Sequence, residues 1–155
     1  MARNETIGLG TLLRRLQDLT DGELEQIYAE DGIDYVPRFT PVMRALEDGG
    51  ARTVREIANA SRVSHSAASQ TVSRMIDAGL VKLSVGVDAR ERRAELTKKA
   101  HSMLPHLRAR WVATEAAAQS VEQDIDAPLR EVLAAAISAL ERRSFSARIR
   151  KASRR

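Results

Sequence analysis

The tightest constraint in this sequence lies between Thr53 and Thr97, where two short helices and a two-stranded hairpin follow one another with almost no connecting chain. Thr53-Val54-Arg55-Glu56 has the form of a capping box, in which the Thr53 hydroxyl accepts the Glu56 N–H and the Glu56 carboxylate accepts the Thr53 N–H. A helix is therefore predicted to begin at Val54. Val54, Ile57 and Ala58 form its apolar stripe, Asn59-Ala60-Ser61 breaks the pattern, and Val63 supplies an apolar residue in the turn. Ser64 then has the chemistry of an N-cap. Ala68, Val72, Met75 and Ile76 repeat at helical spacing until Gly79, which suits a helix C′ position. The second helix is predicted over roughly 64–78.

Directly after it, Leu80-Val81-Lys82-Leu83-Ser84-Val85 alternates apolar and polar from Val81 onward, and Gly86 offers a turn. Arg92 to Leu96 reads as the return strand, with Ala94 and Leu96 on one face. The tip, Gly86-Val87-Asp88-Ala89-Arg90, is followed by Arg92 and Arg93. In such a tip a carboxylate can orient a guanidinium toward a narrow DNA minor groove, whose negative potential attracts arginine.

The face of the second helix opposite its apolar stripe carries Ser66, Ala67, Ser69, Gln70, Ser73 and Arg74, with Ser64 and His65 at its start. These side chains are short or carry an amide, so the helix can approach a surface closely. A DNA major groove is about 12 Å wide and admits one helix whose first turns reach base edges, where glutamine pairs bidentately with adenine. Gln70 is the candidate base reader, and His65 is placed for a phosphate contact. The plain alternative for a serine-rich helical face is simple solvation. The basic hairpin that follows favours the DNA reading.

Val63-Ser64-His65-Ser66-Ala67-Ala68-Ser69-Gln70-Thr71-Val72, Ala78-Gly79-Leu80-Val81, and Asp88-x-Arg90 followed by Leu96-Thr97 together resemble the MarR family of bacterial transcription regulators. The resemblance runs from about Leu9 to Leu140, and the wing is its most specific part. It implies a mainly α fold with a small β-hairpin wing, a winged helix-turn-helix, and a helical dimerisation module built from both termini. It also implies a homodimer acting on double-stranded DNA at an inverted-repeat operator, as a ligand-responsive repressor. The DNA-binding residues it implies are Ser64, His65, Ser66, Ala67, Ser69, Gln70, Ser73 and Arg74 in the recognition helix, and Asp88, Arg90, Arg92 and Arg93 in the wing. Many members carry arginine in the recognition helix where this chain has Gln70, which leaves the operator sequence open. Members of the family also bind small aromatic acids between the dimerisation helices and the DNA-binding lobe. Arg14, Arg15, Arg38 and Trp111 are the candidate pocket residues for such an effector. The competing readings are solvated arginines on helices and a tryptophan buried in core or dimer packing.

Composition excludes several other chemistries. The chain has 155 residues and no cysteine, so disulfides, thiolate nucleophiles, cysteine-based zinc sites and a cysteine peroxide sensor are all absent. Aromatic residues make up only 3%, so leucine, alanine, isoleucine and valine must fill the core. No run of about 18 apolar residues occurs, and Met1 to Thr6 lacks the apolar stretch of a signal peptide. A cytoplasmic protein without membrane contact is expected. No nucleophile elbow, phosphate-binding glycine loop, His-Glu metal motif or framed carboxylate pair is present, so no enzymatic activity or cofactor is expected. His101 and His106 are five residues apart, outside the i, i+4 spacing that lets two helical histidines share a metal.

Net charge is +4, but it is unevenly distributed. Residues 1–48 carry −5, residues 49–99 carry +5, residues 100–141 carry −3 and residues 142–155 carry +7. A basic centre between acidic flanks matches a nucleic-acid-contacting core on a neutral-to-acidic scaffold.

The flanks read as helices. Leu9, Leu12, Leu13, Leu16 and Leu19 repeat at three and four, and Leu24, Ile27 and Tyr28 resume past Gly22, predicting one long helix bent near that glycine. Pro37 suits the first turn of the next, whose core face is Phe39, Val42, Met43 and Leu46. After the wing, Thr97 can cap a long helix kinked at Pro105, and Pro128 opens a last one built on Leu129, Val132, Leu133, Ala136, Ile137 and Leu140. The resulting division is 1–48 for a first dimerisation helix and linking helix, 49–97 for the winged lobe, 98–143 for the second dimerisation helices, and 144–155 for a mobile basic tail. A reading from another class is a winged-helix module that assembles with proteins through the serine-rich helix. The Asp88-x-Arg90 wing argues against it, because a protein interface has no need of that pair.

Overall fold

The computed structural model describes residues 7–86 and 91–154. Its elements are α1 (Leu9–Glu30), a 3-10 turn (Pro37–Phe39), α2 (Thr40–Gly49), α3 (Val54–Ser61), α4 (His65–Asp77), β1 (Val81–Val85), β2 (Arg92–Leu96), α5 (Lys98–Asp124), α6 (Leu129–Arg142) and α7 (Phe145–Ala152). They form two compact units that divide after Pro105. This is a mainly helical chain with one small antiparallel hairpin, a winged helix-turn-helix. No described helix is long and apolar enough to cross a membrane.

In the first unit, α1 is one uninterrupted helix through Gly22, where a bend is expected from sequence. Asp31 caps its end and Gly32 takes a left-handed φ of +71°, a conformation that costs glycine little. Tyr28 is fully buried and meets the Tyr35 ring edge-on, which in turn meets Phe39. So much of the chain's small aromatic content gathers here to tie α1 to the turn that starts α2. Burial deprives the Tyr35 phenolate of solvation and raises its pKa, while its hydroxyl donates to Thr40 Oγ1 at 3.2 Å.

The centre of the lobe is a three-helix core. Val42, Met43 and Leu46 of α2, Ile57 and Ala58 of α3, and Ala68, Val72 and Met75 of α4 are all buried. The α3 cap has both reciprocal bonds, Glu56 N–H to Thr53 Oγ1 at 3.2 Å and Thr53 N–H to the Glu56 carboxylate at 2.7 Å. The turn is made by Arg62 in left-handed conformation. Ser64 Oγ then accepts the Ala67 N–H and starts α4.

The hairpin pairs Val81 with Leu96, Leu83 with Ala94 and Val85 with Arg92. A bridge between Arg52 and Ala94 adds the link before α3 to the free side of β2. Alternation along β1 predicts one covered apolar face, yet only Val81 is buried, and Leu83 and Val85 are exposed. A two-stranded ribbon leaving the core has no further layer to cover it. Thr97 holds the base of the hairpin. Its hydroxyl donates to Gly79 O at 2.7 Å and accepts the Ala100 N–H, its own N–H donates to Leu80 O, and it thereby joins the end of α4 to the start of α5.

The second unit is a helical hairpin. Helix α5 contains Pro105 within its length. Asp126 takes a left-handed φ of +49° in the turn to α6. Arg130 of α6 clasps Glu122 of α5 through Nη2 at 2.8 Å and its backbone N–H at 2.8 Å, and also pairs with Glu115. That clasp holds the Glu122 carboxyl below its ordinary pKa.

At the C-terminus the sequence predicts an unordered arm, whereas the chain forms α7. Ser144 Oγ accepts the Ala147 N–H at 3.3 Å, and the Arg148 guanidinium donates to Ala139 O at 2.9 Å and Arg143 O at 3.2 Å. These bonds satisfy the end groups of α6 and α7, which composition alone does not reveal.

The Glu56 carboxyl is held below its usual pKa, first by the Thr53 N–H and further by the Arg93 guanidinium. A depressed folded-state pKa stabilises the fold above the ordinary carboxylate range and loses that contribution as pH falls through the depressed value. Glu56→Gln is therefore expected to melt below the parent at pH 7, and the gap should close as the solution is acidified past about pH 4. Thermal melts of both proteins across that range check it, and a gap that persists at pH 3 would contradict the assignment.

Candidate nucleic-acid interface

With Ala68, Thr71, Val72 and Met75 turned into the core, the opposite face of α4 is fixed. His65, Ser66, Ala67, Ser69, Gln70, Ser73 and Arg74 are all exposed along it. Gln70 lies near the middle of the helix and Arg74 in its last turn. Ser64 is also exposed, but its hydroxyl already accepts a backbone N–H. It begins the helix, and its own O–H is still a donor.

The wing residues divide. Asp88 and Arg90 lie outside the described residues. Arg92 is exposed on β2 opposite Val85. Arg93 is only partly exposed, and its guanidinium donates to three acceptors, Ala51 O at 3.2 Å, Glu91 Oε1 at 3.2 Å and Glu56 Oε2 at 2.9 Å. Sequence reading names Arg93 among the DNA-binding residues of the wing, and the structure points its guanidinium at Ala51 and Glu56 of the lobe. The signal was hidden because its main partner, Glu56, lies 37 positions away.

Of Arg14, Arg15 and Arg38, the candidate effector residues in the first unit, only Arg38 lines a groove there. Arg38 lines a groove of about 380 Å³ between α1, the start of α2 and α4, with Gln17, Asp21, Val42, Gln70 and Arg74 among its walls. Arg14 and Arg15 are exposed on α1 and do not line it, and Trp111 is buried in the second unit. Gln17, Asp21 and Arg74 were not singled out for this purpose in the sequence. The i, i+4 spacing of Gln17 and Asp21 on α1 puts both on one face, but that face acquires meaning only once α4 lies across from it.

An outward α4 beside a two-stranded wing defines a winged helix-turn-helix. Residues 40–91 match the MarR family. No curated protein sequence matches the chain. Among solved structures, a Mycobacterium tuberculosis transcriptional regulator, MosR, determined in complex with DNA, is similar at a TM-score of 0.69 and 20% identity, covering 89% of this chain and 99% of that one. A MarR family regulator from Silicibacter pomeroyi is similar at 0.60 and 22% identity, covering 85% and 94%. Bordetella bronchiseptica BpsR, whose DNA binding is regulated by 6-hydroxynicotinic acid, is similar at 0.55 and 17% identity, covering 81% and 98%. The chain thus shares the MarR fold along most of its length.

Proposed function

We propose that this protein is a sequence-specific double-stranded DNA-binding transcription regulator, a homodimer that acts on an inverted-repeat operator as a ligand-responsive repressor. The observation that carries the reading is the exposed face of α4, where small and polar residues from His65 to Arg74 stand clear of the core while the opposite face is buried. Small side chains let the helix sit deep in a major groove, and Gln70 is positioned along it to read a base. The likeness to MosR, solved on DNA, supports the same use of this fold.

Two sets of exposed apolar side chains support the dimer. Leu9, Leu12, Leu13 and Leu19 are exposed on α1, and Val132, Ile137 and Leu140 on α6, which has no buried residue at all. Exposed apolar area on this scale marks an interaction surface. A second copy brings two recognition helices to successive major grooves about 34–36 Å apart, hence the inverted repeat. For the effector, the groove beside Arg38 and Arg74 suits a small acid, as the regulation of BpsR by 6-hydroxynicotinic acid suggests. Because Gln70 also lines that groove, an occupant would press on the base reader itself.

Selection of bound duplexes from a random pool, with light scattering on the same sample, tests the whole reading. Inverted repeats bound by a dimer are expected, and a monomer, or a pool that never enriches, would refute it. Within the selected site, Gln70→Ala should relax preference at one position per half-site and cost about 1–3 kcal/mol on the preferred sequence. Arg90→Ala should instead weaken binding to most sequences and lower the dependence on salt. Titrations of both variants at several salt concentrations separate the two effects.

Helix α7 adds a nonspecific contribution. Residues 142–155 carry seven basic residues and no acidic one, and Arg150 and Lys151 of α7 cluster with Arg154 just past its end. Contact with phosphates would release counterions and raise affinity for any sequence. Deleting residues 144–155 should leave the dimer and its operator unchanged while lowering nonspecific affinity and the magnitude of the salt slope. If truncated and full-length proteins bind random duplex equally at low salt, the segment serves only solubility.

A further inference from the structure

Arginine on a DNA-binding wing is ordinarily read as a phosphate or groove contact, and the geometry around Arg93 assigns it other work. Its Nε donates to Ala51 O at 3.2 Å, one terminal nitrogen to the Glu91 carboxylate at 3.2 Å, and the other to the Glu56 carboxylate at 2.9 Å. The three acceptors belong to three separate stretches: the link before α3, the neck of the hairpin, and the first turn of α3. The Glu56 oxygen that accepts Arg93 also accepts the Thr53 N–H at 2.7 Å, so the α3 cap and the hairpin converge on one atom. At the other end, the Gly86 N–H donates to Glu91 O at 2.9 Å. The Glu91 carboxylate lies so close over Gly86 that a Cβ there would stand 2.8 Å from it. A planar guanidinium with five fixed donors can reach all three acceptors, whereas a lysine ammonium acts as a single point charge.

We propose that Arg93 is a positioning residue for the wing, held by Glu56, which sets the orientation of the hairpin relative to α3 and α4 and contributes to DNA affinity without touching DNA. This rests on the DNA-binding reading above. The bridge between Arg52 and Ala94 supplies the backbone part of the same joint, with N···O distances of 2.9 and 2.7 Å. The side-chain clamp adds a fixed angle to that hinge.

The two roles predict opposite signs. If Arg93 met a phosphate, Arg93→Lys would keep the charge and nearly all the affinity. Glu56→Gln would then strengthen binding, because it removes a negative charge close to a polyanion. If Arg93 positions the wing through Glu56, both substitutions weaken binding. Glu56→Gln suits the test because glutamine can still accept the Thr53 N–H in the α3 capping box, while the ion pair with Arg93 is lost.

The experiment uses the full chain and its selected operator, with hydrogen exchange of the free proteins as a readout that needs no DNA. In both variants exchange at the Gly86 amide is expected to rise about threefold or more, and operator affinity to fall about threefold to tenfold. The double variant should lose no more than Arg93→Lys alone, because the two residues act as a unit. Unchanged exchange in both variants, or tighter operator binding by Glu56→Gln beside parental binding by Arg93→Lys, would overturn the proposal. Faster exchange in the variants of a parent that binds no duplex would uphold the clamp and refute the DNA reading instead.

Discussion

Burial of one face of α4 is the interaction on which the rest depends. Ala68, Val72 and Met75 are held against a core that includes Met43, Leu46 and Ile57, and each is 3% exposed or less. A helix has only two broad faces, so fixing the inner one by hydrophobic burial, at about 25 cal/mol per Å² of apolar surface, fixes the outer one as well. The small polar residues of α4 are thus presented without any interaction of their own to hold them there. Ser64 and Gly79 limit the helix to the length that carries this face.

A second requirement is that the wing stand in a defined place beside α4, and here polar contacts take over from packing. Beyond Val81 the hairpin offers the core little, since Leu83 and Val85 are exposed. Its placement comes from Thr97 bonding to the end of α4, from the Arg52–Ala94 bridge, and from Arg93 spanning Ala51, Glu91 and Glu56. Each is a modest interaction, with a net value near 1 kcal/mol typical of one hydrogen bond. Together they fix direction, which burial alone does not. The groove lined by Gln17, Arg38, Gln70 and Arg74 arises in the same unit, where α1 and the start of α2 face α4.

The second unit follows a different balance. Its two main helices are clasped by Arg130 with Glu122 and Glu115, yet α6 buries none of its residues. The apolar side chains of α6 carry the helical periodicity of a core face, and within one chain they have no core to join. It is the face that the proposed dimer would cover.

Local signals in the sequence set the elements from α1 to α6 and the two strands. The capping box at Thr53, the Ser64 cap, the glycine stops and the apolar periods at three and four are local signals, and each acts within a turn or two of the residue that carries it. The outward face of α4 was legible for the same reason, because helical periodicity sorts residues onto faces before any packing is known. Tertiary structure decided whatever depends on residues far apart in the chain. The fate of Arg93 turned on Glu56, the exposure of Leu83 and Val85 on the lack of a covering layer, and the groove on α1 facing α4. The helix at 145–152 turned on Arg148 reaching the last carbonyls of α6. Composition and spacing report what a side chain can bond. Only the folded chain supplies the acceptors that a guanidinium meets, and those of Arg93 are Ala51, Glu91 and Glu56.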